Sequence, residues 1–117
     1  MTGSVSFHAG VSAEDQVARH YARRGARAVA RRWRGAGGEV DLVLLHADTV
    51  VFVEVKKSRD HARAAQRLSQ RQIARLHAAA SEYLATCPAG LNTPARFDVA
   101  LVDRSGYIDI IENALCA

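Results

Sequence analysis

A carboxylate and an ammonium, Glu54 and Lys56, lie two residues apart in a largely apolar stretch at residues 50–57, which reads Val-Val-Phe-Val-Glu-Val-Lys-Lys. The composition predicts a β-strand, in which successive side chains point to opposite faces. Glu54 and Lys56 therefore share one face, and Val51, Val53 and Val55 share the other. Because burying charged groups beside a core costs free energy, the pattern indicates a catalytic site, a metal site or a satisfied ion pair.

A further acidic residue, Asp41, lies in a second strand predicted at residues 40–45. If a turn through residues 47–48 joins the two strands in an antiparallel hairpin, Asp41 and Glu54 are close to cross-strand partners. Directly opposed residues have Cβ atoms about 5 Å apart, and like charges at that distance repel each other. A divalent cation such as Mg²⁺ would neutralise them, because Mg²⁺ binds one or two carboxylates together with water and a substrate phosphate.

Lys56 fits two interpretations of this group. Beside a carboxylate-bound Mg²⁺, it is placed to orient an attacking water or to stabilise charge on a phosphate. Alternatively, Glu54 and Lys56 form an ion pair on the strand face, and Asp41 is a turn or capping residue. The spacing, an Asp followed thirteen residues later by Glu-X-Lys, leaves both interpretations open.

The sequence around these residues resembles the core of the PD-(D/E)XK nuclease superfamily. The resemblance lies in Gly-Gly-Glu-Val-Asp-Leu at residues 37–42 and Val-Phe-Val-Glu-Val-Lys at residues 51–56. More specifically, residues 13–114 resemble the bacterial YraN-like family of small proteins, which are similar to archaeal Holliday junction resolvases. This wider resemblance includes Arg-Phe-Asp-Val at residues 96–99. It implies a restriction-endonuclease-like α/β fold, with a small mixed β-sheet flanked by helices.

The superfamily motif falls on Asp41, Glu54 and Lys56 in this sequence. The resemblance implies that Asp41 and Glu54 bind Mg²⁺ or Mn²⁺, with help from the Val55 carbonyl. It implies that Lys56 acts near the attacking water. It also implies that Glu14, an acidic residue of the first helix, is a catalytic residue close to the site.

Arginines form two groups that predict a nucleic-acid-binding surface. One group lies at residues 19–34, and the other recurs every four residues from Arg59 to Arg75. Fourteen of the sixteen basic residues are Arg, and the net charge is +4. Arg binds phosphate in a bidentate manner, although solvated faces in an arginine-rich proteome are the alternative explanation. Gln72 stands where many members of the superfamily carry a Lys. The residues predicted to contact nucleic acid are Arg31, Arg34, Arg59, Arg63, Arg67, Arg71, Gln72 and Arg75.

Hydrophobic periodicity and turn residues indicate the elements that must position these side chains. Helices are predicted at residues 11–24 and 62–85, and strands at residues 40–45, 50–56 and 97–102, with a weaker strand at 26–33. Residues 107–111 are a short strand or the approach to a terminal helix. This order predicts an α/β sandwich around a small mixed sheet. We expect residues 1–10 to be a flexible tail and residues 11–117 to form a single nuclease-like domain.

Composition narrows the functional class further. No apolar run approaches the ~20 residues of a membrane span, and the first ten residues lack a secretory signal pattern. The two cysteines suggest no disulfide framework, so we expect a cytoplasmic protein. The first hypothesis is a Mg²⁺-dependent endonuclease that acts on DNA, including branched or structured DNA, as a homodimer. The alternatives are a non-catalytic nucleic-acid-binding module and an adaptor that retains the nuclease fold.

Overall fold

The structure is a computed structural model that describes residues 12–57 and 69–114. In chain order the elements are α1 (Ala13–Ala22), β1 (Arg27–Arg34), β2 (Glu39–His46), β3 (Thr49–Lys57), α2 (Gln70–Leu84), a short 3₁₀ helix (Gly90–Asn92), β4 (Ala95–Val102) and β5 (Ile108–Ile111). The weaker strand predicted at residues 26–33 is confirmed as β1. The last predicted element is a strand, β5, rather than the approach to a helix.

The five strands form one mixed sheet in the order β1-β2-β3-β4-β5. Neighbouring strands are antiparallel except β3 and β4, which are parallel. A parallel pair needs a long crossover connection, and α2 lies in the segment that joins β3 to β4. The predicted α/β fold is confirmed, and the architecture is consistent with a restriction-endonuclease-like core.

The two helices cover opposite faces of the sheet. Val17 and Tyr21 of α1 pack into a core with Leu42 of β2, while Leu76 of α2 packs into a separate core with Phe52 of β3. The central strands are thus buried on both faces, which explains why they appear in the sequence as nearly continuous apolar runs.

Serine caps mark where both helices begin. The Ser12 hydroxyl accepts a hydrogen bond from the Asp15 amide at 3.0 Å at the start of α1. Ser69 and Gln72 form a reciprocal capping box at the start of α2, in which each side chain accepts a hydrogen bond from the other residue's backbone amide. Both caps satisfy amides that have no partner within the helix.

The first helix is shorter than its sequence pattern predicted, and the second is described only from its N-cap at Ser69 onward. α1 spans Ala13–Ala22, and the chain reverses at Gly25, whose φ of +88° is a conformation that glycine adopts readily. α2 spans Gln70–Leu84, and residues 62–68 of the predicted helix lie outside the described residues. No helix within the described part of the chain is long and apolar enough to cross a membrane.

Asp98 on β4 is a fully buried carboxylate whose oxygens are well supplied with donors. The Tyr21 hydroxyl donates a hydrogen bond to it at 2.7 Å, and the Arg96 guanidinium donates hydrogen bonds of 3.1 to 3.3 Å. The Asn113 amide donates a further hydrogen bond at 3.2 Å. This network joins α1, β4 and the turn after β5. Burial, together with the hydrogen bond to Asp98, raises the pKa of Tyr21 above its ordinary value.

Candidate metal and nucleic acid site

The hairpin of β2 and β3 brings Asp41 opposite Glu54, as the sequence predicted. A turn at residues 47–48 sets the register, and the paired residues extend as far as Leu42 and Val53. One further step in the same register places Asp41 across from Glu54. The site therefore depends on a tight turn followed by uninterrupted pairing along both strands.

Both carboxylates lie on the face of the sheet that α2 covers. Phe52, two residues before Glu54, belongs to the core against α2. Because strand side chains alternate, Glu54 and Lys56 point to that same face. Val43, two residues after Asp41, also belongs to this core. The charged residues thus lie on the same face of the sheet as the apolar contacts of β2 and β3 with α2.

Each carboxylate has a different partner. Asp41 Oδ2 accepts a hydrogen bond from the Val55 backbone amide at 2.8 Å, so Asp41 is held against β3 rather than acting as a cap. Glu54 Oε2 lies 3.6 Å from Lys56 Nζ. The Glu54 and Lys56 side chains are 16% and 17% exposed, so this ion pair is largely removed from water. The ion pair considered from sequence is therefore present, and it coexists with the paired carboxylates.

The surroundings of Glu54 favour its protonated form. Burial, followed by the charge and the hydrogen bond of Asp41, raises the pKa of Glu54 from 4.5 to about 8. The Lys56 ammonium opposes this rise but does not cancel it. Proximity to Asp41 and removal from water therefore make the charged form of Glu54 less favourable than that of an isolated glutamate.

A cleft of about 220 Å³ lies between the sheet and α2 at these carboxylates. Its walls are Glu39 and Asp41 of β2, Glu54 of β3, and Gln72, Arg75 and Leu76 of α2. The sheet supplies acidic side chains, and the helix supplies a guanidinium and an amide. One wall thus offers oxygen ligands for a cation, and the facing wall offers hydrogen-bond donors for a phosphate.

These side chains fit a hard divalent cation that keeps part of its water. Mg²⁺ is commonly held by one or two carboxylates plus water and substrate phosphate, and Asp41 and Glu54 offer two carboxylates in the cleft. Among the described residues, no group of three or more His, Cys, Asp or Glu side chains could hold a metal ion. Val55 contacts Asp41 through its backbone amide, and ligation by its carbonyl stays a prediction.

Two predicted catalytic residues do not line the cleft. Glu14 lies on α1, whose apolar side packs against the opposite face of the sheet. Lys56 contacts Glu54 but is not among the cleft residues either. The structure therefore groups Asp41, Glu54 and Lys56, and it leaves the predicted role of Glu14 without a contact to them.

The predicted arginines of β1 already have acidic partners. Arg31 forms an ion pair with Asp15 of α1, and Arg34 lies 3.2 Å from Glu39 on the neighbouring strand. Such exposed pairs contribute little stability. They nevertheless neutralise the charge that was predicted to attract nucleic acid to this strand.

The predicted arginines of α2, unlike those of β1, have no acidic partner among the described residues. Arg71 and Arg75 are exposed, and neither forms an ion pair with another residue in the described ranges. Arg75 lines the cleft, as does Gln72. Positive charge available to a phosphate therefore lies on α2. The remaining predicted residues, Arg59, Arg63 and Arg67, lie outside the described residues.

Two acidic residues at or near the cleft were not predicted. Glu39 lines it two residues before Asp41, and this spacing of residues on one strand face was a signal present in the sequence. Glu82, on α2, accepts hydrogen bonds from the backbone amides of Ala36 and Gly37, both at 2.9 Å. These partners lie 46 and 45 positions away, so no local pattern indicates the contact.

Comparison with known proteins identifies the family. The family model described as "Uncharacterised protein family UPF0102" matches residues 13–102, which include the hairpin and α2. The chain belongs to the UPF0102 family. The family is YraN-like, so the resemblance drawn from the sequence motifs is confirmed.

UPF0102 proteins from several bacteria match nearly all of this chain. One from Cereibacter sphaeroides (strain KD131 / KCTC 12085) is 56% identical over 117 residues, which cover 100% of both chains. One from Ruegeria pomeroyi is 58% identical over 112 residues, covering 96% of this chain and 91% of the relative. One from Dinoroseobacter shibae is 41% identical over 111 residues, covering 95% and 83%.

Proposed function

We propose that this UPF0102 protein is a Mg²⁺- or Mn²⁺-dependent endonuclease that hydrolyses phosphodiester bonds in DNA. The observation that carries the proposal is the cleft in which Asp41 and Glu54 face Arg75 and Gln72. A cation stabilises neighbouring carboxylates that otherwise repel each other. A guanidinium facing that cation suits the anionic oxygens of a phosphodiester.

The chain's own residues have distinct roles in this proposal. Asp41 and Glu54 bind the ion, and the Val55 amide keeps the Asp41 carboxylate in place. When bound, the ion polarises the phosphodiester and lowers the pKa of a coordinated water. Lys56, 3.6 Å from Glu54, orients the attacking water or stabilises negative charge on the phosphate. Arg75 donates hydrogen bonds to phosphate oxygens from the facing wall.

The exposed face of α2 is the surface along which we expect the DNA backbone to lie. Arg71 precedes Arg75 by about one helical turn, so positive charge continues along the helix from the cleft. Arg31 and Arg34 contribute less, because acidic partners already neutralise them.

Cleavage assays test the proposal directly. Wild-type protein is incubated with a four-way junction, a flap and single-stranded DNA, each in Mg²⁺, Mn²⁺ or EDTA. We expect metal-dependent cleavage of at least one substrate and its loss in Glu54→Gln, with DNA binding retained. Failure of clean wild-type protein to cut any substrate with either ion would contradict the proposal.

Calorimetry separates ion binding from catalysis. Mn²⁺ is titrated into wild type and into Asp41→Asn, in which an amide replaces a carboxylate of similar shape. We expect specific binding to wild type and its loss in the variant. Equal heats from the two proteins would show that the cleft carboxylates do not hold the ion.

Gln72 favours a second candidate, a nucleic-acid-binding module that does not cut. Its side-chain oxygen accepts a hydrogen bond from the Ser69 amide at 3.0 Å as part of the α2 capping box. A glutamine side chain is neutral, so this position supplies no positive charge to a phosphate. If the protein is such a module, we expect salt-sensitive DNA binding that persists in EDTA and in the Asp41→Asn variant, and we expect no cleavage of the DNA.

Symmetric cleavage of two strands requires two sites, and each chain supplies one cleft with this set of residues. We therefore extend the nuclease proposal to a homodimer on branched DNA. Light scattering with and without a four-way junction measures the number of chains bound. One chain per junction would contradict this extension while leaving the nuclease proposal intact.

A further inference from the structure

The glycine-rich loop between β1 and β2, residues 35–38, is held against α2 by Glu82. The Glu82 carboxylate accepts one hydrogen bond on each oxygen, from the Ala36 and Gly37 amides, both at 2.9 Å. These bonds, with Ala36 contributing most, lower the pKa of Glu82 below its ordinary value. The contact is thus a charge-assisted pair of hydrogen bonds with a defined direction.

The loop also touches α2 closer to the cleft. A Cβ atom added at Gly38 would lie 2.2 Å from the Arg75 carbonyl oxygen, and one added at Gly37 would lie 2.8 Å from Ala78 Cβ. No side chain fits at these approaches without a shift of the backbone. Together with Glu82, the two helix residues form a stripe that the loop follows for about two turns.

This stripe leads directly to the cleft. The Arg75 backbone lies against Gly38, and Arg75 is also one of the residues that line the cleft. On the facing wall, Glu39 immediately follows Gly38 in the chain, and Asp41 lies two residues further on. The loop therefore links the helix wall and the sheet wall of the same cleft.

The apolar core beneath α2 fixes the position of the helix along the sheet with less directional contacts than the Glu82 hydrogen bonds do. Its buried helix residues are Leu76, Ala79 and Ala80, and the partly buried Ile73, Tyr83 and Leu84 pack against the same core. Hydrophobic contact is non-directional, whereas the two hydrogen bonds to Glu82 have a fixed direction. A helix that slips by one residue moves about 1.5 Å along its axis. Such a movement is large enough to break a hydrogen bond from Arg75 to a phosphate.

We propose that Glu82 is a positioning residue for the cleft. Its contact with the glycine loop sets where α2 lies along the sheet, and so holds Arg75 and Gln72 across from Asp41 and Glu54. The inference rests on the proposed function, because the helix wall is the part of the cleft assigned to phosphate binding.

The Glu82→Gln variant separates an effect of net charge from an effect of helix position, because the two predict opposite changes in DNA affinity. Removing a negative charge should tighten DNA binding if only net charge matters. Positioning predicts weaker binding, because a glutamine amide has one acceptor oxygen for two backbone amides. One phosphate contact changes affinity by roughly tenfold between 0.1 M and 1 M salt. We therefore expect Glu82→Gln to bind an oligonucleotide about three- to tenfold more weakly at 0.1 M salt.

Two further variants test whether the weaker DNA binding results from a changed position of α2. Glu112→Gln removes an exposed acid that contacts Arg96 rather than the loop, and we expect its DNA affinity to be unchanged or higher. In combination with Arg75→Ala, Glu82→Gln should add no more than about a twofold loss, because both act on the same contact. Tighter binding by Glu82→Gln, or losses that multiply fully in the double variant, would overturn the inference. Thermal melts establish that every variant is folded at the assay temperature.

A readout that needs no DNA separates this inference from the proposed function. If wild type binds no DNA, the proposed function fails, and amide NMR spectra of the free protein still decide the role of Glu82. We expect Glu82→Gln to shift the amide resonances of Asp41, Gln72 and Arg75, unlike Glu112→Gln. Shifts confined to residues 35–38 and the substituted position would overturn the inference.

Discussion

Replacing Glu54 by Gln should stabilise the metal-free protein at neutral and alkaline pH. Glu54 is buried beside Asp41, and these surroundings raise its pKa from 4.5 to about 8. Between those values the folded protein retains a proton that the unfolded chain has released. The stabilising contribution of that proton is therefore complete below pH 4.5 and is lost as the pH rises through about 8. Glutamine resembles the protonated acid, stays neutral, and can donate a hydrogen bond to Asp41.

The size of the stability change depends on the difference between the pKa values of Glu54 in the unfolded and folded protein. Each pH unit between the two pKa values changes the free energy of unfolding by up to about 1.4 kcal/mol. From pH 4.5 to pH 8 the limit is thus about 5 kcal/mol. The cleft leaves the Glu54 side chain 16% exposed, and Lys56 lies 3.6 Å away, so both water and the ammonium reduce the penalty. We expect Glu54→Gln to raise the free energy of unfolding by about 1–3 kcal/mol at pH 8.

Urea denaturation between pH 5 and pH 9 measures this difference. The advantage of Glu54→Gln should be small at pH 5, grow with pH, and level off above about 8. Mg²⁺ should reduce the advantage, because the ion replaces the proton in wild type and stabilises only the protein that binds it. Glu112→Gln, at an exposed position, should differ little from wild type at any pH. A difference for Glu54→Gln that is independent of pH, or a less stable variant at pH 8, would refute the reasoning.

Three further predictions concern the loop, the buried network and the helix surface. Gly38→Ala should destabilise the fold by about 1–3 kcal/mol in urea, because its Cβ would lie 2.2 Å from the Arg75 carbonyl oxygen; an unchanged midpoint would contradict this. Tyr21→Phe removes a 2.7 Å hydrogen bond to Asp98 and should cost about 1–3 kcal/mol. Wild-type stability in that variant would show that the bond contributes nothing net. Replacing both Arg71 and Arg75 by Ala should make the negative slope of log K against log salt for DNA binding shallower by about 2. An unchanged slope would show that these arginines contact no phosphate.

The hairpin that carries the carboxylates was predictable because its determinants are local. Strand alternation places Glu54 and Lys56 on one face, and a two-residue turn fixes the register that brings Asp41 opposite Glu54. The same alternation relates Glu39 to Asp41, so the acidic wall of the cleft follows from pattern and turn length together. The pKa shift of Glu54 then follows from that register and from burial.

The neutralisation of the β1 arginines was not predictable from local pattern. Arg31 meets Asp15 only because α1 packs beside β1, and this packing depends on tertiary contacts. The Glu82 contact with the glycine loop has the same origin, because it joins positions 45 and 46 residues apart. The glycines indicated a turn, whereas their close approach to α2 required the assembled fold.

The two buried acidic residues Asp98 and Glu54 differ in how the protein compensates their charge. Asp98 is fully buried, yet donors from Tyr21, Arg96 and Asn113 satisfy its oxygens within the protein. Glu54 has a lysine at 3.6 Å and a second carboxylate beside it. Asp98 needs no ligand, since its charge is already balanced by hydrogen bonds and an arginine. Glu54 opens onto a cleft, and burial beside Asp41 disfavours its charged form, a cost of the kind that is common at functional sites. A cation bound in the cleft would remove that cost, because it would compensate both carboxylates at once.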